Sequence, residues 1–290
     1  MTETVQYCAL CGGEFNRLFD SRSFRGQVVI NRICQNCGLV FQSPRKTEAE
    51  LDAFYIEEYR LIQEGNANPT ARNVDVQKKR ARAQFNFVYS DIPSLSRHLD
   101  IGCSIGLLLQ HFQDAYHNQA IGVEPGEAHR LQARKEGLTV YASLGELEKG
   151  GEPRFDLVSM SHVLEHLSDP VGYLTHLRST ILVTDGWLLL EVPNLYAHDS
   201  FEVAHLYAFS PHTLYEVLRR SGFTVVKFKQ HGRPNSQIIP LYLTALCCPA
   251  VQPDLSPVRP ERGVTYKRDA GIFRRRILTR LFPKLTWVVQ

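Results

Sequence analysis

The clearest chemistry in the chain lies in one short run, His-Leu-Asp-Ile-Gly-Cys-Ser-Ile-Gly from His98 to Gly106. His98, Leu99 and Ile101 read as the end of a buried strand, and Asp100 closes it. Gly102, Cys103, Ser104 and Gly106 then make a small-residue turn, and Leu107 to Phe112 read as the helix that follows. Small residues let a backbone pass close to a ligand and adopt dihedral angles that bulkier side chains resist. A carboxylate at a strand tip repels phosphate, so this turn suits a ligand with hydroxyls or positive charge. A second apolar strand, from Gln119 to Val123, ends in Glu124, 24 residues beyond Asp100. At that strand-helix-strand distance an acid meets a ribose diol in nucleotide-binding α/β folds. A glycine-rich turn alone is also compatible with a purely structural role.

A different chemistry opens the chain. Cys8-Ala-Leu-Cys11 and Cys34-Gln-Asn-Cys37 are two Cys-x-x-Cys pairs, each followed by glycine. Four thiolates satisfy a closed tetrahedral zinc site. The stretch between the pairs holds Phe15, Leu18, Phe19, Val28, Val29 and Ile30 and reads as short strands joined by a polar turn from Ser21 to Gly26. So small a unit has little core, and metal binding would supply much of its folding free energy. A redox pair is the weaker reading, because the motif occurs twice and sits in no βαβ context.

The elements that position these groups follow from pattern. The chain has 290 residues, 43% hydrophobic and 22% charged, which allows one large α/β domain plus a small appendage. A net charge of +3 argues against nucleic acid as the partner. No apolar run approaches the roughly 20 residues that span a bilayer, and the start lacks a secretion signal. The expected location is therefore a reducing cytoplasm, with the seven cysteines as thiols or metal ligands.

The expected organisation is a zinc ribbon over 1–45, connecting helices over 46–97, a core over 98–250 and a basic amphipathic tail over 251–290. Thr47 with Glu50 makes a capping box for a helix running to about Arg60, with Leu51, Phe54 and Tyr55 on its apolar face. Gly65 to Pro69 reads as a loop, and Asp75 to Tyr89 as a helix whose basic side, Lys78, Lys79, Arg80 and Arg82, faces solvent. In the core, strands are expected at 138–141, 155–160 and 186–192, then an antiparallel pair at 223–229 and 238–248. Helices alternate with them, which indicates a doubly wound, mostly parallel, seven-stranded Rossmann-like sheet. Beyond a proline-rich linker, Phe273, Ile277 and Leu281 recur at helical spacing among Arg274, Arg275, Arg276, Arg280 and Lys284, with Trp287 near the end. Such a helix suits an anionic membrane surface, the core or a second subunit; the oligomeric state is left open.

With these stretches in view, the chain resembles a class I S-adenosylmethionine-dependent methyltransferase. The matching residues are Leu99 to Gly106, Gly122-Val-Glu-Pro125, Phe155 to Pro170, Gly186 to Asn194, and His205 to Pro211 with Ser221-Gly-Phe223. The ribbon with Gly38 to Arg45 is similar to a leader on some bacterial members, including sugar C-methyltransferases. The resemblance implies S-adenosylmethionine as cofactor, with Gly102, Cys103 and Gly106 beneath its methionyl part and Asp100 holding the amino-acid end. Glu124 would take the ribose hydroxyls, Ser143 and Leu144 the adenine, and Ser161 the floor. Cys103 and Ser104 depart from the family pattern, where glycine or alanine is common, but both are small.

The acceptor side is less defined. His162, just beyond the fourth strand, is the candidate base, against a plain helix-capping role. On a helix, His162 and His166 would share a face with Glu165 beside them. With His205 they offer ligands for a second divalent ion that could hold acceptor oxygens. The plainer reading has Glu165 and His166 packing at the strand-helix junction. Tyr196, His198, His205 and Tyr207 lie where family members contact the acceptor. The expected function is methyl transfer to a small molecule, such as a sugar or nucleotide-linked sugar. An RNA methyltransferase and a non-catalytic cofactor-binding module are the alternatives.

Overall fold

The structure, a computed structural model, describes residues 2–47, 49–51, 70–199, 201–254 and 256–286. Phe54, Tyr55, the Gly65 to Pro69 loop and Trp287 lie outside the described residues. The start of the first expected helix lies within them: the Glu50 carboxylate accepts from the Thr47 backbone N–H at 3.1 Å, the reciprocal half of a capping box.

Strands β1 (Thr2–Glu3), β2 (Asn16–Phe24), β3 (Gln27–Cys34), β4 (Val40–Gln42) and β5 (Arg45–Lys46) build the amino-terminal unit. The β2–β3 turn is only Arg25-Gly26, both with positive φ (48° and 82°), rather than the longer Ser21–Gly26 turn expected from polarity. A two-residue turn with both central residues left-handed matches the twist of paired strands, so the polar residues 21–23 remain in the ladder with Phe24. Phe15, Leu18 and Val28 are exposed, while Val29, Ile33, Val40 and Phe41 are buried.

Two equivalent knuckles bring the thiols together. The Gly12 N–H bonds the Cys8 carbonyl at 2.8 Å and the Gly38 N–H bonds the Cys34 carbonyl at 2.9 Å, both glycines at positive φ. The four Sγ atoms lie within 4.8 Å of one another, with Cys8–Cys37 and Cys11–Cys34 each at 3.5 Å. A tetrahedron of Zn–S bonds near 2.3 Å has edges of about 3.8 Å, so the cage fits zinc.

The core elements are α1 (Ala71–Val88), β6 (Arg97–Ile101), α2 (Leu107–Tyr116), β7 (Gln119–Val123), α3 (Glu127–Lys135), β8 (Thr139–Tyr141), α4 (Leu144–Lys149), β9 (Phe155–Ser161), α5 (Pro170–His176), β10 (Leu182–Pro193), β11 (Tyr207–Ala208), α6 (Pro211–Arg220), β12 (Phe223–His231) and β13 (Tyr242–Pro249). Helices α7 (Val264–Leu281) and α8 (Pro283–Thr286) follow. The seven-stranded sheet has the order β12-β13-β10-β9-β6-β7-β8. Its strands are parallel except β13, which pairs antiparallel with both β10 and β12. Strand order reverses between β6 and β9, and in doubly wound sheets ligands bind outside the carboxyl ends of the strands at such a reversal. Leu99, Ile121, Val158, Leu188 and Leu190 are at most 1% exposed, as expected for strands covered on both faces.

The ribbon is not an isolated bead. After β10 the chain returns through β11, which pairs with β4 (Tyr207 with Phe41, Ala208 with Val40), giving a four-stranded sheet β11-β4-β3-β2. Gln42 N–H also bonds the Leu206 carbonyl at 2.8 Å. The zinc cage therefore holds the strand that receives the core's 201–209 loop. Cys34→Ser should lose zinc by elemental analysis. Amide exchange should then accelerate at 39–42 and at 206–208 together, while 97–101 and 155–161 stay protected.

Candidate functional site

Asp100 and Glu124 end two neighbouring parallel strands, paired in the register Asp100–Gly122 and Ile101–Val123. Between them the turn folds back on β7: Gly102 and Cys103 donate to the Val123 carbonyl at 2.8 and 3.1 Å. Gly106 has φ of 82°, and a Cβ there would run into the Leu138 side chain, so only glycine lets α2 begin this close to α3 and β8. Ser104 takes φ of 52° without that freedom. Its backbone N–H donates to Glu124 Oε2 at 2.9 Å, and Gly126 N–H donates to Glu124 Oε1 at 2.9 Å. Glu124 thus joins two loops and stays accessible to hydroxyl donors only through its remaining lone pairs.

Asp100 is held differently. Its Oδ1 accepts the Ser159 hydroxyl proton at 2.6 Å, and Ser159 Oγ lies 2.7 Å from His98 Nε2. With the serine proton directed at Asp100, His98 must donate from Nε2. Burial keeps His98 neutral, with a pKa lowered to about 3. Burial, aided by the Glu124 charge and opposed by the Ser159 bond, raises Asp100 to about 7.

The other expected cofactor residues are placed as follows. Ser143 caps α4, its Oγ accepting from Glu146 N–H at 3.1 Å, and Leu144 is half-buried behind it. Ser161 Oγ accepts from Gln84 Nε2 at 2.9 Å. Gln84 is a buried residue of α1 that the sequence pattern gave no reason to single out, since an isolated amide on a helix carries no motif.

Around His162 the expected helix is absent. Leu164–His166 is a single 3-10 turn, and His162 before it has φ of 56°, so His162 and His166 do not share a helix face. Glu165 lies between them instead. His162 Nδ1 is 3.3 Å from Glu165 Oε1, and its Nε2 is 3.6 Å from Glu191 Oε1. Glu191, which sequence reading missed, lies near the end of β10, two residues before Pro193, at 1% exposure. Thr244 Oγ1 donates to its Oε2 at 2.9 Å, His231 Nε2 lies 3.3 Å from Oε2, and Arg80 Nε lies 3.3 Å from Oε1. Arg80 therefore does not belong to the solvated face of α1; it also stacks over Tyr242, 5.2 Å from the ring centroid. Burial would raise Glu191, but its bonds to His162 and His231 and the Arg80 charge outweigh it, leaving the carboxyl ionised well below its ordinary range.

His205 meets Glu165 and His166 on the far side. These three offer ligand atoms within 4.8 Å of one another, and His162 stands outside that set. His166 Nδ1 donates to the Ala204 carbonyl at 2.9 Å and His205 Nε2 lies 2.9 Å from Glu202 Oε1. Such outer partners orient metal-binding imidazoles. Burial lowers His166 to about 4, keeping it neutral; burial would raise Glu165, but the His162 bond leads the groups that hold it at about 2. A neutral imidazole and a carboxylate are the forms a divalent ion needs. His198 is also neutral, lowered to about 3 mainly by burial, and stacks tilted on Tyr242 at 5.7 Å. Tyr196 donates to Glu261, and Tyr207 to the Ser168 carbonyl, so both hydroxyls are committed to structure.

Asp100 gives a pH signature. An acid raised in the folded state contributes stability below its unfolded pKa of about 4, and that contribution is lost as pH rises through about 7. A cation bound beside it reverses the preference. On the expectation that Asp100 holds the amino-acid end of the cofactor, affinity for S-adenosylmethionine should strengthen severalfold between pH 6 and 8 in calorimetry, and Asp100→Asn should bind more weakly with a flat profile.

Known proteins place this geometry. A family model described as a methyltransferase domain matches residues 71–227. The ubiquinone biosynthesis O-methyltransferase of Cereibacter sphaeroides is 35% identical over 101 residues, 32% of this chain and 39% of that protein. The match thus spans well under half the length of that relative. The Burkholderia thailandensis 1,6-didemethyltoxoflavin-N1-methyltransferase structure superposes with a TM-score of 0.57 at 19% identity, covering 80% of this chain and 99% of that one. An Archaeoglobus fulgidus S-adenosylmethionine-dependent methyltransferase superposes at 0.51 with 19% identity, over 66% and 99%. Acids closing β6 and β7 beside a small-residue turn, on this sheet order and under this family match, mean that the chain belongs to the class I methyltransferase-domain family.

Proposed function

We propose that the chain transfers a methyl group from S-adenosylmethionine to a hydroxyl oxygen of a small aromatic acceptor. The observation that carries the reading is His162, held between the buried carboxylates Glu165 and Glu191 at the tip of β9. The cofactor, when bound, supplies an electrophilic methyl group. Asp100 and Glu124 hold its amino-acid and ribose ends, Gly102, Cys103 and Gly106 form the floor beneath it, and Ser143, Leu144 and Ser161 border it. His162 takes the acceptor proton, and the two carboxylates stabilise the imidazolium that forms. Methyl transfer asks little more than in-line placement.

An imidazole can assist removal of a phenolic proton, with a pKa near 10, more readily than that of a sugar hydroxyl or carbon. Similarity to a ubiquinone-pathway O-methyltransferase and the ring wall of Tyr242, His198 and His231 support the aromatic acceptor. The ribbon leader supports the sugar or nucleotide-linked sugar reading, so both belong in the assay. In this reading the ribbon's role is to brace the 201–209 loop that carries His205. Glu165, His166 and His205 fit a second divalent ion that would hold the acceptor oxygen. No helix among the described residues is long and apolar enough to cross a membrane.

Two measurements test this. With labelled cofactor, catechols and phenols should be methylated and nucleotide sugars not. His162→Gln should lower kcat by roughly 10²-fold or more with little change in cofactor affinity. Turnover of nucleotide sugars alone would replace the acceptor assignment. Elemental analysis of the full chain should find zinc plus a second divalent ion, and His166→Ala with His205→Ala should lose only the second. A wild-type chain holding zinc alone would remove the metal from this reading.

A further inference from the structure

Helix α7 docks by one face and leaves another bare. Its inward face is tightly fixed to the loop after β10. The Arg268 guanidinium donates to the Leu195 and His198 carbonyls and to Asp199, and Arg275 donates to the Ala197 carbonyl at 3.0 Å. A Cβ at Gly271 would collide with the Tyr196 backbone, so the helix can lie this close only because that residue is glycine. Leu278 packs on Ala197, Ile239, Leu241 and Tyr242, and α8 is tied back by the Leu285 carbonyl accepting from Gln237 N–H at 2.8 Å.

The outward face is the reverse of an ordinary surface helix. Tyr266, Phe273, Ile277 and Leu281 fall on one stripe by their spacing of seven, four and four, and are 78%, 64%, 41% and 63% exposed. Phe282 and Leu285 extend it, at 48% and 36% exposure. Arg274, Arg276, Arg280 and Lys284 flank the stripe, and among the described residues none of the four makes an ion pair with an acid. From Val264 to Thr286 there are seven arginines and lysines and one acid, Asp269.

We propose that this face is a docking surface for an anionic lipid bilayer. Exposed aromatic and aliphatic side chains rimmed by cations match an interface of acyl chains beneath negative headgroups. A second copy of the same face fits poorly, because two strongly cationic helices would be brought together with only Asp269 on each to offset them. The docked helix would lie flat on the bilayer with its inward face still holding residues 195–199. His198 of that segment contacts Tyr242, whose ring meets His162 edge-on at 5.2 Å. The acceptor side of the crevice would then sit beside the lipid phase, so an acceptor dissolved in lipid could enter it. The surface itself does not depend on the acceptor assignment.

Co-sedimentation of the full chain with vesicles tests it. Vesicles of phosphatidylglycerol and phosphatidylcholine should bind the protein at low salt at least tenfold more tightly than vesicles of phosphatidylcholine alone, and 0.5 M salt should weaken that binding. One variant set, Phe273→Ser with Ile277→Ser and Leu281→Ser, and another, Arg274→Glu with Arg276→Glu and Arg280→Glu, should each reduce binding at least tenfold. Both leave the inward contacts intact, so cofactor affinity should be unchanged and serves as the control for folding. Absence of binding to the anionic vesicles, or binding that survives both sets, overturns the proposal. So does a concentration-dependent dimer in sedimentation velocity that the apolar set abolishes while vesicle binding is unaffected.

Discussion

Four carboxylates, Asp100, Glu124, Glu165 and Glu191, are buried at the carboxyl edge of the parallel sheet, each 4% exposed or less. Removing a charge from water is strongly unfavourable unless it is paired or neutralised, and the local structure can be understood as four answers to that demand. Asp100 accepts one hydroxyl and is raised toward neutrality. Glu124 receives two backbone N–H groups from the turns on either side. Glu191 gathers Arg80, His162, His231 and Thr244 from four separate elements, and Glu165 sits among His162, His166 and His205. The answers at Glu124 and Asp100 differ in consequence. Backbone donors fix a carboxylate for hydrogen bonding to neutral hydroxyls, whereas a protonatable acid answers to a cation.

Glu191 also explains why elements distant in sequence converge. Arg80 comes from α1, His162 from the end of β9, His231 from β12 and Thr244 from β13. Because β13 runs antiparallel beside β10, Thr244 pairs in register with Glu191, and the neighbouring β12–β13 register sets His231 opposite Tyr242. The ring of Tyr242 then touches His162, His198 and His231. The antiparallel pair at the sheet edge therefore does more than close the sheet: it supplies one side of the cluster around His162 and Glu191.

The metal ribbon and the carboxyl-terminal helix act on the same region from opposite sides. Strand β4 pairs with β11 directly after the His205 loop, while α7 grips residues 195–199 before it. The two also touch: Glu261 N–H bonds the Cys37 carbonyl at 3.1 Å, and Val264 packs near Gly38. A loop of this length after a sheet strand would otherwise be free to vary. Here it is held at both ends by parts of the chain outside the α/β core.

Sequence alone determined the features that rest on local chemistry. The zinc cage was legible because each Cys-x-x-Cys knuckle places its two thiols by local turn geometry, and two such pairs are what one closed tetrahedral site needs. The strand-turn-helix at Asp100 and the acid at Glu124 were legible because hydrophobic period and glycine spacing are local signals, and the seven strands followed from their alternation with helices. The geometry at His162 was not, because a left-handed histidine followed by one 3-10 turn is set by the carboxylates that meet it, not by helix propensity. Arg80 read as a surface cation because a helix sequence shows its faces but not what approaches them. Glu191 read as one more strand residue, since only the pairing of β10 with β13 and the packing of α1 over the sheet reveal what surrounds it. Periodicity and spacing reach a few residues along the chain. The compensation of a buried charge is a three-dimensional matter, and it was decided by the tertiary fold.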